Sequence, residues 1–120
     1  MKSRITYAAR ALLVVAVAAI AWQSLVPPPQ IVMTVSSDKV AHFVAYAVVG
    51  ALAVLSLPAR WWWLAWLATV AMGLLLEIAQ AATPYRSFEW GDLAADAVGA
   101  LVGVTIGVVA ARAFAPTNTQ

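Results

Sequence analysis

The sequence predicts an all-α membrane protein, a small bundle of four transmembrane helices with both termini in the cytoplasm. Of its 120 residues, 64% are hydrophobic and only 10% are charged, whereas soluble domains carry about 25% charged residues. A helical span needs about 20 apolar residues, and the chain offers four such segments. We place them at about residues 5–26, 38–57, 61–82 and 92–114. Residues 1–120 are therefore expected to form a single transmembrane domain.

The first segment has two interpretations. Lys2 and Arg4 form a basic leader before an apolar run, and Ala19-x-Ala21 matches the small-residue pattern of a signal-peptide cleavage site. Trp22 and the run of prolines at 27–29 instead favour an interfacial anchor followed by a stiff loop. We expect a retained helix. Cleavage would leave three helices in the same orientation.

Prolines and aromatic residues delimit the other segments. Pro58 ends the second segment, Pro84 follows the third, and Pro116 closes the fourth, because proline cannot continue a helix. Tryptophan and tyrosine concentrate where a helix meets the membrane interface. We expect one aromatic belt of Trp61, Trp62, Trp63 and Trp66, and an opposite one of Trp22, Tyr85, Phe88 and Trp90.

Basic residues set the predicted orientation, because cytoplasmic loops carry an excess of lysine and arginine. With the segments threaded in order, one side carries Lys2, Arg4, Arg10, Arg60 and Arg112, and the other carries Lys39 and Arg86. Both termini are therefore expected in the cytoplasm. The connections at residues 27–37 and 83–91 then face outward.

Polar residues interrupt the apolar segments mainly at these outward ends. Ionisable groups near hydrocarbon cost free energy, so a chain this apolar rarely carries them without a use. At about 100° per residue, those within one helix fall on a shared face. The candidate polar site comprises Asp38, Lys39, His42, Tyr46, Glu77, Gln80, Arg86, Asp92 and Asp96.

Glycines at 99, 103 and 107 follow the aspartates along one face of the fourth helix. This small-xxx-small spacing lets helix backbones approach closely. It serves equally for packing within the chain and for pairing two copies in a homo-oligomer. On either interpretation, Asp92 and Asp96 are expected to point into the bundle and away from lipid.

Several of the polar residues also have a purely structural explanation. Asp38 and Asp92 lie at helix starts, where a carboxylate can cap free amides. A single histidine is more often a hydrogen-bonding structural residue than a ligand or base. Glu77 lies about a turn inside its span, so a structural role would require a partner. The candidate partners are Arg86, Lys39 and His42.

The motifs together resemble the VanZ-like family. The matching stretches are Asp38-Lys39-x-x-His42-Phe43-x-x-Tyr46, Glu77-x-x-Gln80, Pro84-Tyr85-Arg86, and Asp92-x-x-x-Asp96 with the glycines that follow. Tyr85 stands where the family usually has glycine, and Asp96 where asparagine is frequent. The second departure adds a negative charge to the site.

The resemblance implies an integral membrane protein of the bacterial cell envelope, located in the cytoplasmic (inner) membrane. It further implies antibiotic resistance of the kind associated with the family's named member, low-level resistance to the glycopeptide teicoplanin. It carries no catalytic residue over to this chain.

The leading functional hypothesis is an outward-facing, non-enzymatic site for the head group of a membrane lipid or a lipid-linked wall precursor. Arg86 and Lys39 would hold phosphate or carboxylate, and the acids and Gln80 would accept hydroxyls and amides. The net charge of +2 and the lack of basic runs argue against nucleic acid.

The second hypothesis is a membrane-embedded enzyme acting on a phospholipid or polyprenyl phosphate, with His42 and Glu77 as an acid–base pair. No cofactor is expected and no metal ligand is assigned, because no spacing matches a known metal motif. Carboxylates with one imidazole would nevertheless suit a divalent cation. Such an ion would be held by Asp92, Asp96, Glu77 and His42. A small transporter is the third hypothesis, disfavoured because the inner halves of the segments are apolar.

Overall fold

The computed structural model describes residues 2–27 and 35–114, which form four long helices. These are α1 (Lys2–Leu25), α2 (Val35–Leu55), α3 (Trp62–Ala81) and α4 (Trp90–Ala113). Each helix is long and apolar enough to cross a membrane, and the described residues contain no strand. The all-α membrane fold is thereby confirmed. Of the predicted proline run at 27–29, Pro28 and Pro29 lie outside the described residues, as does the closing Pro116.

All four helix starts differ from the predicted ones by one to three residues, and α1 and α2 each begin three residues earlier than predicted. A 3₁₀ turn over Ala59–Trp61 precedes α3, and it is closed by a bond from Trp61 N–H to the Pro58 carbonyl. The fourth helix begins at Trp90 instead of Asp92, because Glu89 is the extended residue before it, at φ −127° and ψ 118°. Asp92 therefore lies in the first helical turn and is not the capping residue.

The helices alternate in direction, so four helix termini meet at one end of the bundle. The side chain of Gln80 near the end of α3 bonds to Ser24 near the end of α1. At the same level, Lys39 in the first turns of α2 contacts Asp92 at the start of α4. We call this the polar end. At the opposite end, Arg10 of α1 donates to the carbonyl of Ser56 just after α2, at 3.3 Å.

Glycines bring the backbones of α2 and α4 into direct contact. A Cβ atom at Gly99 would collide with the carbonyl oxygen of Phe43, and one at Gly103 with that of Ala47. In the other direction, a Cβ at Gly50 would lie 2.6 Å from the carbonyl oxygen of Ala100. Gly99, Gly103 and Gly107 are all buried. The glycine spacing thus serves packing within the chain, and a homo-oligomer through these glycines stays a prediction.

The third helix packs one face on this pair. Ala65, Thr69, Gly73, Glu77 and Gln80 are its buried residues. Trp66, predicted as part of the aromatic belt, instead turns towards α4. Its indole N–H donates to the carbonyl of Ala97 at 3.0 Å. Trp61, Trp62 and Trp63 are exposed, as a belt requires.

The first helix lies at the edge of the bundle. In the most apolar 18-residue stretch of α1 only 6% is buried, compared with 33% in the corresponding stretch of α4. Tyr7, Val14 and Trp22 are each more than two-thirds exposed. Such an apolar, exposed surface suits a lipid environment, and polar bonds near both ends attach the helix to the bundle.

Candidate functional site

At the polar end, His42 of α2 lies between carboxylates of its own helix and of α4. Its Nδ1 atom is hydrogen-bonded to Oδ1 of Asp96 at 2.8 Å. Its Nε2 atom lies 3.6 Å from Oδ2 of Asp92 and 4.0 Å from Oδ1 of Asp38. Spacing of four residues places Asp38 and His42 on one face of α2, and the close α2–α4 packing brings the aspartates of α4 to that face. The imidazole therefore has an acidic oxygen near each ring nitrogen.

Lys39 forms ion pairs with three acids. Its ammonium contacts Oδ1 of Asp92, Oε2 of Glu89 at 2.8 Å and Oδ2 of Asp38 at 3.9 Å. An ammonium group has three hydrogen-bond donors, and its two hydrogen bonds go to Glu89 and Asp92. We call Asp38, Lys39, Glu89 and Asp92 the outer group. Sequence reasoning omitted Glu89 from the site, although its position beside the start of α4 and in an outward loop was available as a signal.

Glu77 lies deeper and is only 2% exposed. Its Oε2 accepts a hydrogen bond from the backbone N–H of Glu89 at 3.2 Å. This amide precedes α4, where N–H groups lack partners within the helix and the helix dipole favours negative charge. The carboxylate of α3 thus caps α4. Of the partners considered from the sequence, His42 lies close to Glu77, whereas Lys39 and Arg86 make their contacts elsewhere.

Asp96 is fully buried beside Glu77 and His42. Its exposed fraction is 0%, and among the described residues its Oδ2 atom has no hydrogen-bond partner. Gly73 of α3 makes room for this carboxylate, because a Cβ atom there would lie 2.9 Å from Oδ2. We call His42, Glu77 and Asp96 the inner group. One ligand atom from each of the three lies within 4.8 Å of those of the other two.

Tyr46 lies next to the inner group, one turn of α2 further from the polar end than His42. Its side chain is 3% exposed, and its ring is parallel to that of His42, with 6.4 Å between centroids and 5° between planes. Both residues belong to the same face of α2, one turn apart. The tyrosine thus separates the polar end from the apolar packing below it, where Val54, Ala65 and Val104 form a core cluster.

Gln80 and Arg86 contact a different part of the molecule, the last turn of α1. Gln80 Nε2 donates to the Ser24 carbonyl at 3.1 Å, and Arg86 Nη2 donates to the Gln23 carbonyl at 3.2 Å. Tyr85, which the sequence suggested only as an interfacial residue, donates its hydroxyl to the Leu25 carbonyl at 2.8 Å. The last carbonyls of a helix have no partner within it. These three side chains therefore cap α1 and attach it to the bundle.

The nine predicted residues therefore fall into two sets: a cluster around His42, and a pair, Gln80 and Arg86, that we call the clamp because it attaches α1 to the bundle. His42, Tyr46, Glu77 and Asp96 lie together, and Asp38, Lys39 and Asp92 lie directly above them. Gln80 and Arg86 hold α1 by backbone carbonyls. The cluster is rich in hydrogen-bond acceptors, and its ammonium is already paired with acids. Such a cluster can accept hydrogen bonds from a ligand, hold a cation or move a proton.

Comparison with known proteins identifies the family. The family model described as VanZ/LLP1 matches residues 5–111, a range that includes all four helices except their outermost residues and all nine predicted site residues. No curated protein matches the chain, and no solved structure does. The match covers most of the chain, and it agrees with the motifs noted in the sequence. The protein belongs to the VanZ/LLP1 family.

Proposed function

We propose that this protein is a module of the bacterial cell envelope whose polar end binds or shields the head group of a membrane lipid or lipid-linked wall precursor. The supporting observation is the outer group, which joins the starts of α2 and α4 and remains partly accessible. The side chains of Lys39, Asp38 and Glu89 are 29%, 41% and 51% exposed. Five basic residues against two favour an outward orientation of this end. A head group lying at the outer membrane surface would then meet these side chains.

The chemistry of the outer group favours a head group that donates hydrogen bonds. Asp38, Glu89 and Asp92 are acceptors, and the ammonium of Lys39 is shared among them. Arg86, which the sequence suggested for phosphate, donates to a carbonyl of α1. Sugar hydroxyls, amides or an ammonium group fit such a surface better than a bare phosphate does. We therefore assign recognition to the sugar, peptide or amine portion of the head group.

The test is a binding measurement with the full chain in lipid nanodiscs. The probes are a polyprenyl pyrophosphate that carries a sugar–peptide head group and a polyprenyl phosphate without one. Asp38→Asn removes an exposed acceptor charge with little change in shape. One lost hydrogen bond to a charged group costs about 1.5–3 kcal/mol, so affinity for the first probe should fall about 10- to 100-fold.

Arg60→Ala, an exposed arginine at the opposite end, is the matched control and should bind like the wild type. Equal affinity of the wild type for the two probes would contradict recognition of the sugar or peptide. Unchanged binding in Asp38→Asn would contradict the placement of the site. In cells, charge-neutral changes at His42, Glu77, Arg86 and Asp92 should alter glycopeptide susceptibility at normal protein levels.

One observation favours a second candidate function, a membrane-embedded enzyme acting on such a lipid. The hydrogen bond of 2.8 Å between His42 and the fully buried Asp96 orients the imidazole, and Glu77 lies beside it. An imidazole oriented by a carboxylate is a common general acid–base arrangement. Turnover of a polyprenyl phosphate or phospholipid by the purified protein, abolished in Glu77→Gln, would establish it. Binding without turnover would favour the first proposal.

A further inference from the structure

We propose that the inner group is a binding site for a first-row divalent cation such as Zn²⁺, with His42, Glu77 and Asp96 as protein ligands. The three residues come from α2, α3 and α4, so one ion would join all three helices. Their ligand atoms already lie within 4.8 Å of one another. The inference does not depend on the head-group proposal, because the outer group is a separate set of side chains.

The ligand atoms, which lie within 4.8 Å of one another, would have to move to the spacing of a metal site. Zinc lies about 2.0–2.2 Å from imidazole nitrogen and carboxylate oxygen, so ligand atoms in a tetrahedral site lie about 3.3–3.6 Å apart. Here Nδ1 of His42 and Oδ1 of Asp96 are 2.8 Å apart, closer than that range. One imidazole with two carboxylates suits zinc or manganese better than calcium, which takes oxygen ligands alone.

A second observation points independently to a ligand. Oδ2 of Asp96 lies in a fully buried side chain and has no hydrogen-bond partner among the described residues. Buried polar atoms are nearly always paired, so an exception requires an explanation. Gly73 leaves the space that this oxygen occupies, since a Cβ there would lie 2.9 Å from it. A cation bound by both oxygens of Asp96 would give Oδ2 a partner and would replace the hydrogen bond between Oδ1 and His42.

The charges of the inner group lead to the same conclusion. Glu77 and Asp96 are 2% and 0% exposed, and two neighbouring buried carboxylates repel each other unless positive charge compensates them. The contacts of Lys39 lie in the outer group. A divalent cation with a neutral imidazole would balance the two carboxylates. Protons on His42 or on the carboxylates are the competing explanation, and titration with Zn²⁺ separates the two.

A second set of potential ligands, Asp38, His42 and Asp92, is also closely spaced but less suitable. Lys39 already contacts Oδ1 of Asp92, and its positive charge would repel a metal ion there. Asp38 is partly exposed, with 41% of its side chain accessible. Because both sets share His42, the test has to distinguish them by their carboxylates.

The experiment uses the full chain, purified in nanodiscs, stripped of metal by a chelator and titrated with Zn²⁺ alone in a calorimeter. We expect one equivalent to bind and to raise the melting temperature. Glu77→Gln and Asp96→Asn keep the side-chain shapes and should each weaken Zn²⁺ binding at least about 10-fold. Asp38→Asn, the matched control from the other set, should bind Zn²⁺ like the wild type.

Three results would overturn the proposal. The first is wild-type protein that neither binds Zn²⁺ nor is stabilised by it, which would leave protons as the compensating charge. The second is unchanged Zn²⁺ binding in Glu77→Gln and Asp96→Asn, and the third is Zn²⁺ binding lost in Asp38→Asn alone.

If Glu77→Gln and Asp96→Asn fail to fold, a titration of the wild-type protein with Co²⁺ serves as the test instead. Visible absorption bands of tetrahedral Co²⁺, displaced by Zn²⁺, support the site, and their absence contradicts it. Lipid binding retained without metal binding would leave the head-group proposal standing.

Discussion

Individual side chains at the polar end show how a chain with few charges uses each of them. The ammonium of Lys39 compensates the negative charge of three acids, and Glu77 caps a helix other than its own. Gly73 contributes by lacking a side chain, because it leaves room for the carboxylate of Asp96. Near a membrane, a polar group without such a partner is costly. The acids, Lys39 and His42 of this end therefore form one connected set, whereas Arg86 contacts α1.

The first prediction concerns the pair of Lys39 and Asp92. Lys39→Met removes the cation but leaves Asp92, whose side chain is 10% exposed, without its partner. We expect the free energy of unfolding to fall by about 1–3 kcal/mol, measured by denaturant titration in detergent micelles. Adding Asp92→Asn removes the uncompensated charge and should recover part of the loss. A double variant as unstable as the sum of the two single variants would contradict the pairing.

At the scale of helices, the most extensive contact between the described helices is that of α2 with α4, and it depends on glycines, which have no side chain. The glycines of α4 lie against backbone carbonyls of α2, which lets dispersion contacts form along both helices. The same contact carries His42 to Asp96 and Lys39 to Asp92. The small residues below the polar end therefore position the charged residues within it.

The second prediction tests this contact. Gly103→Ala places a methyl group against the carbonyl oxygen of Ala47, which is backbone and cannot turn aside. Overpacking costs about 1–3 kcal/mol and should exceed the gain of up to about 1 kcal/mol in helix propensity, so the melting temperature should fall.

Gly91→Ala is the matched control for that prediction. Its methyl group would meet only the flexible end of Lys39, at 3.0 Å from Cε. Since that side chain can move, the control should melt at or slightly above the wild-type temperature. Equal effects of the two substitutions would show that helix propensity, and not the α2–α4 contact, determines the result.

The third prediction concerns the attachment of α1. Arg86→Ala removes one of three side-chain donors that hold the last turn of α1, a helix of which little is buried. Hydrogen–deuterium exchange should then rise in a peptide covering residues 19–27 and remain unchanged in peptides of α2 and α4. The exposed Arg60, changed to alanine, is the control and should leave exchange in this peptide unaltered. Exchange that rises throughout the bundle would contradict a local clamp.

At the scale of the whole molecule, the distribution of charge and the polar site are related. The polar end holds all five acids, and the opposite end carries most of the basic residues. The basic excess predicts that the opposite end lies in the cytoplasm, so it also predicts which side of the membrane the acidic cluster faces. Orientation and site are thus two consequences of one asymmetry in the sequence.

The fourth prediction is the orientation itself. The chain has no cysteine, so single cysteines report sidedness without interference. In intact cells, an impermeant thiol reagent should label Ser37→Cys, near the start of α2. It should label Thr117→Cys, which lies beyond the described residues, only after permeabilisation. The reverse pattern would place the polar end in the cytoplasm and contradict an outward-facing head-group site.

The sequence predicted the number of helices, their faces and the end at which the polar residues gather. Thr69, Gly73 and Glu77 share a buried face as the helical period requires. The sequence did not predict that Arg86 and Gln80 would bind α1, nor that Trp66 would bond to α4. In each of these cases the partner is a backbone carbonyl, a group that every residue possesses and that leaves no mark in the sequence.

The sequence by itself determined which segments span a membrane and which residues share a face, because transfer into hydrocarbon and the helical repeat depend only on nearby residues. The tertiary structure alone decided the partners. Rotations and shifts of a few ångströms between helices determine which donor reaches which acceptor, since a hydrogen bond is lost within about one ångström of its best length. Close backbone packing at the glycines fixes those shifts, and with them the inner group of His42, Glu77 and Asp96.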